Sequence, residues 1–439
     1  MRCHDILQKV ILSIVVIAAA HALQASGASV PQVDNFDGAN LRRDSIRMRE
    51  FLEGAVLPKV VVDNFLKGIE WSVFDPITGY RHNDAAVKYG MDGSYAFSFY
   101  GPHGERRMIN WASRPCRINT YGDSFTNCSQ VSDGETWQEY LAAHIGEPVR
   151  NFGIGGSGVY HMYRRMLREE ATSASAEYII FNIFGDDYQR SLHKWRWIMI
   201  DGFRENFLKG YDFSKTKQVK STVRFQGTPW CYARVDPDTG RVVEYENPYP
   251  TPESLYQLCD KEHVYEEFKD DIIVQLRIAA KNGRFEYPDK IRKLMKVLDV
   301  SGDLHDPSEC RRIANEVYLK SAMKVSMYCI KKAAEFADRK NKKFMVLLTY
   351  GAGQIVDVYH GKPRYNQKFI DFLKEEDILF IDFVNVHLED LKSFNVSIGD
   401  YLKRYFIGHY SPAGNHFFAY AIKDTVVDWL EPKPPAYLD

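Results

Sequence analysis

The stretch Arg117-Ile-Asn-Thr-Tyr121-Gly-Asp-Ser124-Phe-Thr126 decides how the rest of the chain is read. Arg117–Tyr121 has strand character and runs into a glycine, an acid and a serine. A helix-patterned segment, Glu135–Ile145, follows soon after. A serine at the mouth of a strand–loop–helix unit stands outside the carboxyl end of a strand, where a parallel α/β sheet puts its chemistry. Backbone N–H groups in such a turn can also face a developing negative charge. Taken alone, Gly-Asp-Ser is ordinary turn and N-cap chemistry. The segments downstream give it weight.

Further strand patterns lie at Pro148–Phe152, Tyr178–Phe184, Lys343–Thr349 and Ile378–Phe383. Helix patterns lie at Tyr160–Glu170, Ser308–Arg339, Gln367–Glu376 and Gly414–Leu430. Short β-branched and aromatic runs alternating with longer amphipathic ones predict an α/β fold: a parallel sheet with helices on both faces. The connection from Phe184 to Lys343 far exceeds what a parallel crossover needs. It therefore holds an insertion, about residues 190–300, that leaves from the active-site end of a strand. Trp195, Trp197, Trp230, Tyr232 and Tyr249 either line a cleft there or form the insertion's own core, and the second reading is preferred.

Upstream, residues 29–115 read as an extension with a β-hairpin lead-in. Apolar segments at Ser45–Leu57 and Val60–Leu66 precede a turn signal at Asp75-Pro-Ile-Thr-Gly79, where proline and glycine supply the two special φ values. Strand patterns follow at Tyr95–Tyr100 and Arg107–Trp111. A like turn recurs at Asp236-Pro-Asp-Thr-Gly240. The α/β domain spans 116–431, and a proline-rich tail occupies 432–439.

Residues 1–28 read as a signal peptide. Arg2 and Lys9 precede the apolar run Val10–Ala20, and small residues follow. The run is shorter than a spanning helix needs, so export to a secreted or periplasmic location is expected, with an uncleaved anchor as the alternative. No other segment is expected to meet a membrane. The net charge of −1 offers no electrostatic case for nucleic acid. The 14% aromatic content suits a deep core or a surface that stacks on flat ligands. Of seven cysteines, six lie beyond the signal, and export permits disulfides as readily as buried thiols. No cysteine pair has zinc spacing, so neither metal nor cofactor is expected.

Four blocks carry the chemistry, each at a strand end: Gly122-Asp-Ser124; Asn151-Phe-Gly-Ile-Gly-Gly156-Ser-Gly158; Asn182-Ile-Phe-Gly-Asp186-Asp187; and Gly408-His409-Tyr-Ser-Pro-Ala-Gly414. In this order they resemble the SGNH (GDSL-like) hydrolases over about residues 116–186 and 343–430. The resemblance implies a flavodoxin-like three-layer fold with strand order 2-1-3-4-5, and hydrolysis or transfer of acyl groups by a Ser–His pair. It makes Ser124 the nucleophile and His409 its base. The N–H groups of Ser124 and Gly156 become oxyanion donors, with Asp186 at the position of a third. A positioned histidine suits the proton transfer and is worth on the order of 10²–10⁴ in rate. His416, His387 and His82 read as structural.

Two positions depart from that pattern. Asp186 stands where the family has an asparagine side chain, and an ionised carboxylate cannot donate. The acid expected just before the histidine is missing, since those positions are Phe406 and Ile407. Asp400 and Asp382 are the candidates to replace it, unless a backbone carbonyl orients the ring. The reading is an exported acyl-ester hydrolase acting on a small-molecule or carbohydrate ester, such as an O-acetyl group. Alternatives are an O-acyltransferase at the same site or a non-catalytic carbohydrate-binding protein. In a further alternative Asp123, Asp186 and Asp187 hold a hard cation.

Overall fold

The structure, a computed structural model, describes residues 47–68, 71–199, 228–286 and 288–438. The expected signal segment and residues 200–227 of the insertion lie outside these. In chain order the described strands are β1 (Ser72–Asp75), β2 (Gly79–His82), β3 (Ala85–Lys88), β4 (Tyr95–Ser98), β5 (Ile118–Gly122), β6 (Val149–Asn151) and β7 (Tyr178–Ile183). They continue with β8 (Tyr232–Val235), β9 (Val242–Tyr245), β10 (Lys343–Leu348) and β11 (Phe380–Asp382).

Five of them form a parallel sheet in the order β11-β10-β7-β5-β6. Numbered within the sheet this is the expected 2-1-3-4-5 order. Every residue of β5 and β7 is buried, and β7 reads as a near-continuous apolar run because a parallel strand covered on both faces has no polar side to alternate with. Ile179, Ile180 and Phe181 are fully enclosed, each worth about 1.5–3 kcal/mol of apolar burial. The amide in β7, Asn182, accepts the Thr349 hydroxyl at 2.9 Å, so its carbonyl oxygen is not left bare.

Helices flank the sheet in two groups. Trp137–Ile145 packs on Pro412–Trp429, and Val159–Glu169 packs with the long Pro307–Arg339 helix. Pro307–Arg339 also packs on Ile272–Asn282 and β8, tying the insertion to the domain. The architecture is mixed α/β, compatible with a three-layer sandwich. Among the described residues no helix is long and apolar enough to cross a membrane.

Both Asp-Pro-x-Thr-Gly turns close hairpins, β1–β2 and β8–β9. In the first, Asp75 Oδ1 accepts the N–H groups of Ile77 and Thr78. In the second, Asp236 Oδ1 accepts that of Thr239. Arg107–Trp111 is not the expected strand. The Glu139 carboxylate accepts the N–H groups of Ile109 and Asn110 at 2.9 and 2.7 Å, so a side chain satisfies the donors a ladder would have used. Four of the five insertion aromatics are core: Trp195, Trp197, Trp230 and Tyr249 are at most 2% exposed, while Tyr232 is partly exposed. The cysteines beyond the signal are free thiols, four buried and two partly so.

The register sets the site. Gly122 at the end of β5 lies opposite Asn182 of β7, and Thr120 lies opposite Asn151 at the end of β6. The loops leaving β5, β6 and β7 thus converge at one edge, where chain direction switches from one neighbour of β5 to the other.

Candidate active site

Ser124 is the first residue of a one-turn helix, Ser124–Asn127, whose N-cap is Asp123. Asp123 Oδ1 accepts the Phe125 N–H at 2.8 Å, holding the turn that lifts the serine off the strand. The turn is too tight for a side chain at 122: a Cβ there would lie 1.8 Å from Thr126 Oγ1. The loop after β6 is laced to the same strand end. Phe152 and Ile154 donate their N–H groups to the Thr120 and Gly122 carbonyls, and Ser157 Oγ donates to the Gly122 carbonyl.

His409 comes from the far end of the chain, on the loop before helix Pro412–Trp429. Its Nε2 lies 2.8 Å from Ser124 Oγ. Phe125 flanks the imidazole, ring centroids 4.9 Å apart, and Phe184 stacks on Phe125 at 3.8 Å.

The group that orients His409 is Gln130, which the sequence reading did not single out. Gln130 Oε1 lies 2.9 Å from His409 Nδ1 and accepts the His409 backbone N–H at 2.7 Å. Its Nε2 donates to the carbonyls of Tyr89 and Ile407 at 2.8 and 3.1 Å. These four contacts settle two ambiguities that heavy-atom positions leave open. A flipped amide would set NH2 against an N–H and oxygen against two carbonyls, so Oε1 faces the ring. Nδ1 therefore carries the imidazole proton, and Nε2 is free to accept from Ser124. Gln130 holds a left-handed backbone, φ 78°, which for a side-chain-bearing residue costs on the order of 1–3 kcal/mol. The four contacts offset that cost.

Neither acid proposed for this role approaches the histidine. Asp400 is on the surface, paired with Lys403 at 2.9 Å and with Ser397. Asp382 caps helix Phe383–Leu391 and pairs with Arg364, Nη2 to Oδ1 at 2.8 Å. The reason is local: each carboxylate ends a helix-capping arrangement of its own.

The peptide ahead of Gly156 is held from two sides. Gly155 faces Ser124, since a Cβ on it would lie 3.8 Å from Ser124 Cβ. The Gly155 N–H is taken by His82 Nε2 at 2.9 Å, and Tyr80 Oη donates to the Gly155 carbonyl. Together they fix the peptide that carries the Gly156 N–H. Burial pushes His82 down to about 3, so it stays a neutral acceptor. Gly156 itself has φ 81°, a left-handed backbone that side chains rarely adopt, with the Arg196 guanidinium close over its Cα. Both favour glycine there.

Asp186 sits at the rim of the site, but not as a donor. Arg190 Nη2 lies 2.6 Å from its carboxylate. Arg190 Nη1 reaches Asp187 at 2.7 Å, Asp123 at 3.2 Å and the Ser157 carbonyl at 3.2 Å. The three acids considered for a cation surround this guanidinium, which takes the place a metal would occupy. No metal-holding cluster of His, Cys, Asp or Glu occurs among the described residues. Burial pushes Asp123 and Asp187 up, and their mutual repulsion pushes Asp187 further.

Burial, and the Arg190 charge beside it, lower His409 to about 4, with Asp186 acting the other way. The imidazole is thus a neutral acceptor throughout the physiological range, as a general base must be. Of the other histidines, His387 is buried against Tyr401 and His416 packs edge-on to Tyr140. Of these and His82, only His82 touches the site, through Gly155.

Compared with protein-family models and with curated proteins, the chain matches none of them.

Proposed function

We propose that the chain is an exported serine acyl-ester hydrolase of the SGNH kind on a flavodoxin-like sheet, acting on O-acyl esters such as carbohydrate acetates. The observation that carries the reading is the 2.8 Å contact between Ser124 Oγ and His409 Nε2, with the tautomer set by Gln130. Ser124 Oγ attacks the acyl carbonyl carbon while its proton passes to His409 Nε2. The new imidazolium keeps its Nδ1 proton on Gln130 Oε1. The oxyanion meets the N–H groups of Ser124 and Gly156, each such donor being worth around 10²–10³ in rate. Collapse expels the alcohol, which takes the Nε2 proton, and water then cleaves the acyl-serine by the same route.

The missing acid, which favoured a non-catalytic reading of the sequence, weighs less against catalysis once Gln130 is considered. An amide in the third position is harmful where it imposes the wrong tautomer, at a cost of about 10⁴ in rate. Here its oxygen faces Nδ1, so the productive tautomer is kept. What the amide lacks is charge to stabilise the imidazolium.

The test is labelling by a fluorophosphonate and turnover of a short-chain aryl acetate, beside Ser124→Ala. Both signals should vanish in the variant. A folded wild-type chain silent in both assays overturns the reading, and partition of the acyl group between water and an added alcohol separates hydrolase from transferase.

A further inference from the structure

Tyr365 is mounted unlike an ordinary surface tyrosine. Its residue is 43% exposed, yet its hydroxyl is turned inward and donates to the Gly185 carbonyl at 3.0 Å. A tyrosine at a water boundary normally keeps its polar tip wet and its ring against protein. Here the tip is consumed and the ring is left facing solvent.

The loop that holds it is pinned on both sides. Arg364 pairs with Asp382 and donates to Tyr350 Oη at 2.9 Å. Asn366 Nδ2 donates to Tyr350 Oη at 3.0 Å. The Tyr365 ring stands edge-on to Tyr188, centroids 6.2 Å apart, and Gln354 bonds its hydroxyl. Little rotamer freedom remains to be lost when something lands on the ring.

Its position links it to the reacting atoms. Gly185, which anchors the hydroxyl, directly precedes Asp186, and Asp186 acts electrostatically on His409. Phe184, on the other side of Gly185, stacks on the Phe125 ring that flanks His409. The neighbouring rim is cut back: a Cβ at Gly351 would meet Phe184 at 3.5 Å, and one at Gly353 would meet nothing within 4 Å. A fixed aromatic face, an open shelf and the Asp186 side chain, 18% exposed, make a seat for a flat ring that carries hydroxyl donors.

We propose that Tyr365 is a specificity-determining residue that stacks the pyranose ring of a sugar on the alcohol side of the ester, with Asp186 accepting a hydrogen bond from a sugar hydroxyl. This deepens the hydrolase reading and rests on it for the position of the scissile bond.

The test compares wild type, Tyr365→Ala and Tyr365→Phe on methyl 6-O-acetyl-glucopyranoside and on ethyl acetate, which has no ring to stack. Tyr365→Ala should raise KM about tenfold more for the sugar ester than for ethyl acetate, the equivalent of 1.4 kcal/mol. Tyr365→Phe, which keeps the ring, should stay within about threefold of wild type. An equal fall on both esters, or no change on the sugar ester, overturns the proposal. Binding of cellotetraose, followed by NMR, gives a readout that needs no catalysis. Weaker binding to Tyr365→Ala than to wild type supports the sugar seat even if Ser124 proves unreactive. Equal binding, or none to wild type, overturns it.

Discussion

The two sides of Ser124 are built from opposite materials. On the histidine side every group is neutral: an imidazole, an amide and three backbone carbonyl or N–H partners. On the arginine side, one guanidinium is set among three carboxylates, two of them fully buried. The neutral side can be small and still exact in direction, because an amide carries both a donor and an acceptor and reads out its own orientation. The charged side must be complete to exist at all, because a buried charge without its partner is costly. The first suits the proton transfer proposed above. The second holds the loops after β5, β6 and β7 at one distance from each other.

That division of labour is open to four tests. Ser124→Ala or His409→Ala should lower kcat by about 10⁴ or more with the thermal midpoint little changed; a loss of fold would mean that the neutral side also carries stability. Arg190→Met should act the other way, destabilising by about 3–5 kcal/mol in denaturant melts. It strands carboxylates whose folded pKa values already lie above the unfolded ones. Such groups bind more protons folded than unfolded, so the deficit should shrink as pH falls from 7.5 towards 5. A deficit that grows instead would mean that Arg190 does not hold them as an ion pair.

Gln130→Ala should cost about 10–10² in kcat, less than loss of the base itself, because Nε2 keeps its place but the tautomer is no longer fixed. A kcat equal to wild type would remove Gln130 from the mechanism. The smallest effect is on pH. With His409 at about 4, the acid limb of kcat/KM should fall near pH 4 and not near the unperturbed 6.5. In Gln130→Glu an anion beside Nδ1 favours the imidazolium, so that limb should move upward. An unmoved limb would show that the titrating group is not His409.

That Ser124 and His409 would meet was legible because each lies in a short block at a strand end, and order along the chain carried the information. Gln130 was not. It lies six residues past the serine, in Cys128-Ser-Gln-Val131, and a search for an acid near the histidine passes over it. Its role comes from a left-handed backbone that turns the side chain back across the loop, and residue type does not encode that turn. Arg190 had a signal that went unused: it stands three and four residues past Asp187 and Asp186, the spacing of neighbours on a helix face. His82 had none, since the hairpin that brings it beneath Gly155 is remote in sequence. The strands were read to within a residue or two at most ends, while Arg107–Trp111 failed because Glu139, distant in the chain, captured its donors.

Tyr178 and Lys343, side by side at the start of β7 and β10, have a consequence for the order in which the protein assembles. Roughly 160 residues separate them, and closing a flexible loop of that length costs about 4.5 kcal/mol plus a constant before any contact repays it. The 33-residue helix Pro307–Arg339 shortens the search. It packs on the insertion and on the helix Val159–Glu169, so its arrival brings the start of β10 back beside β7. Folding is therefore expected to proceed through the insertion first and the sheet second, with His409, on the last loop before the final helix, arriving at Ser124 only when the sheet is closed.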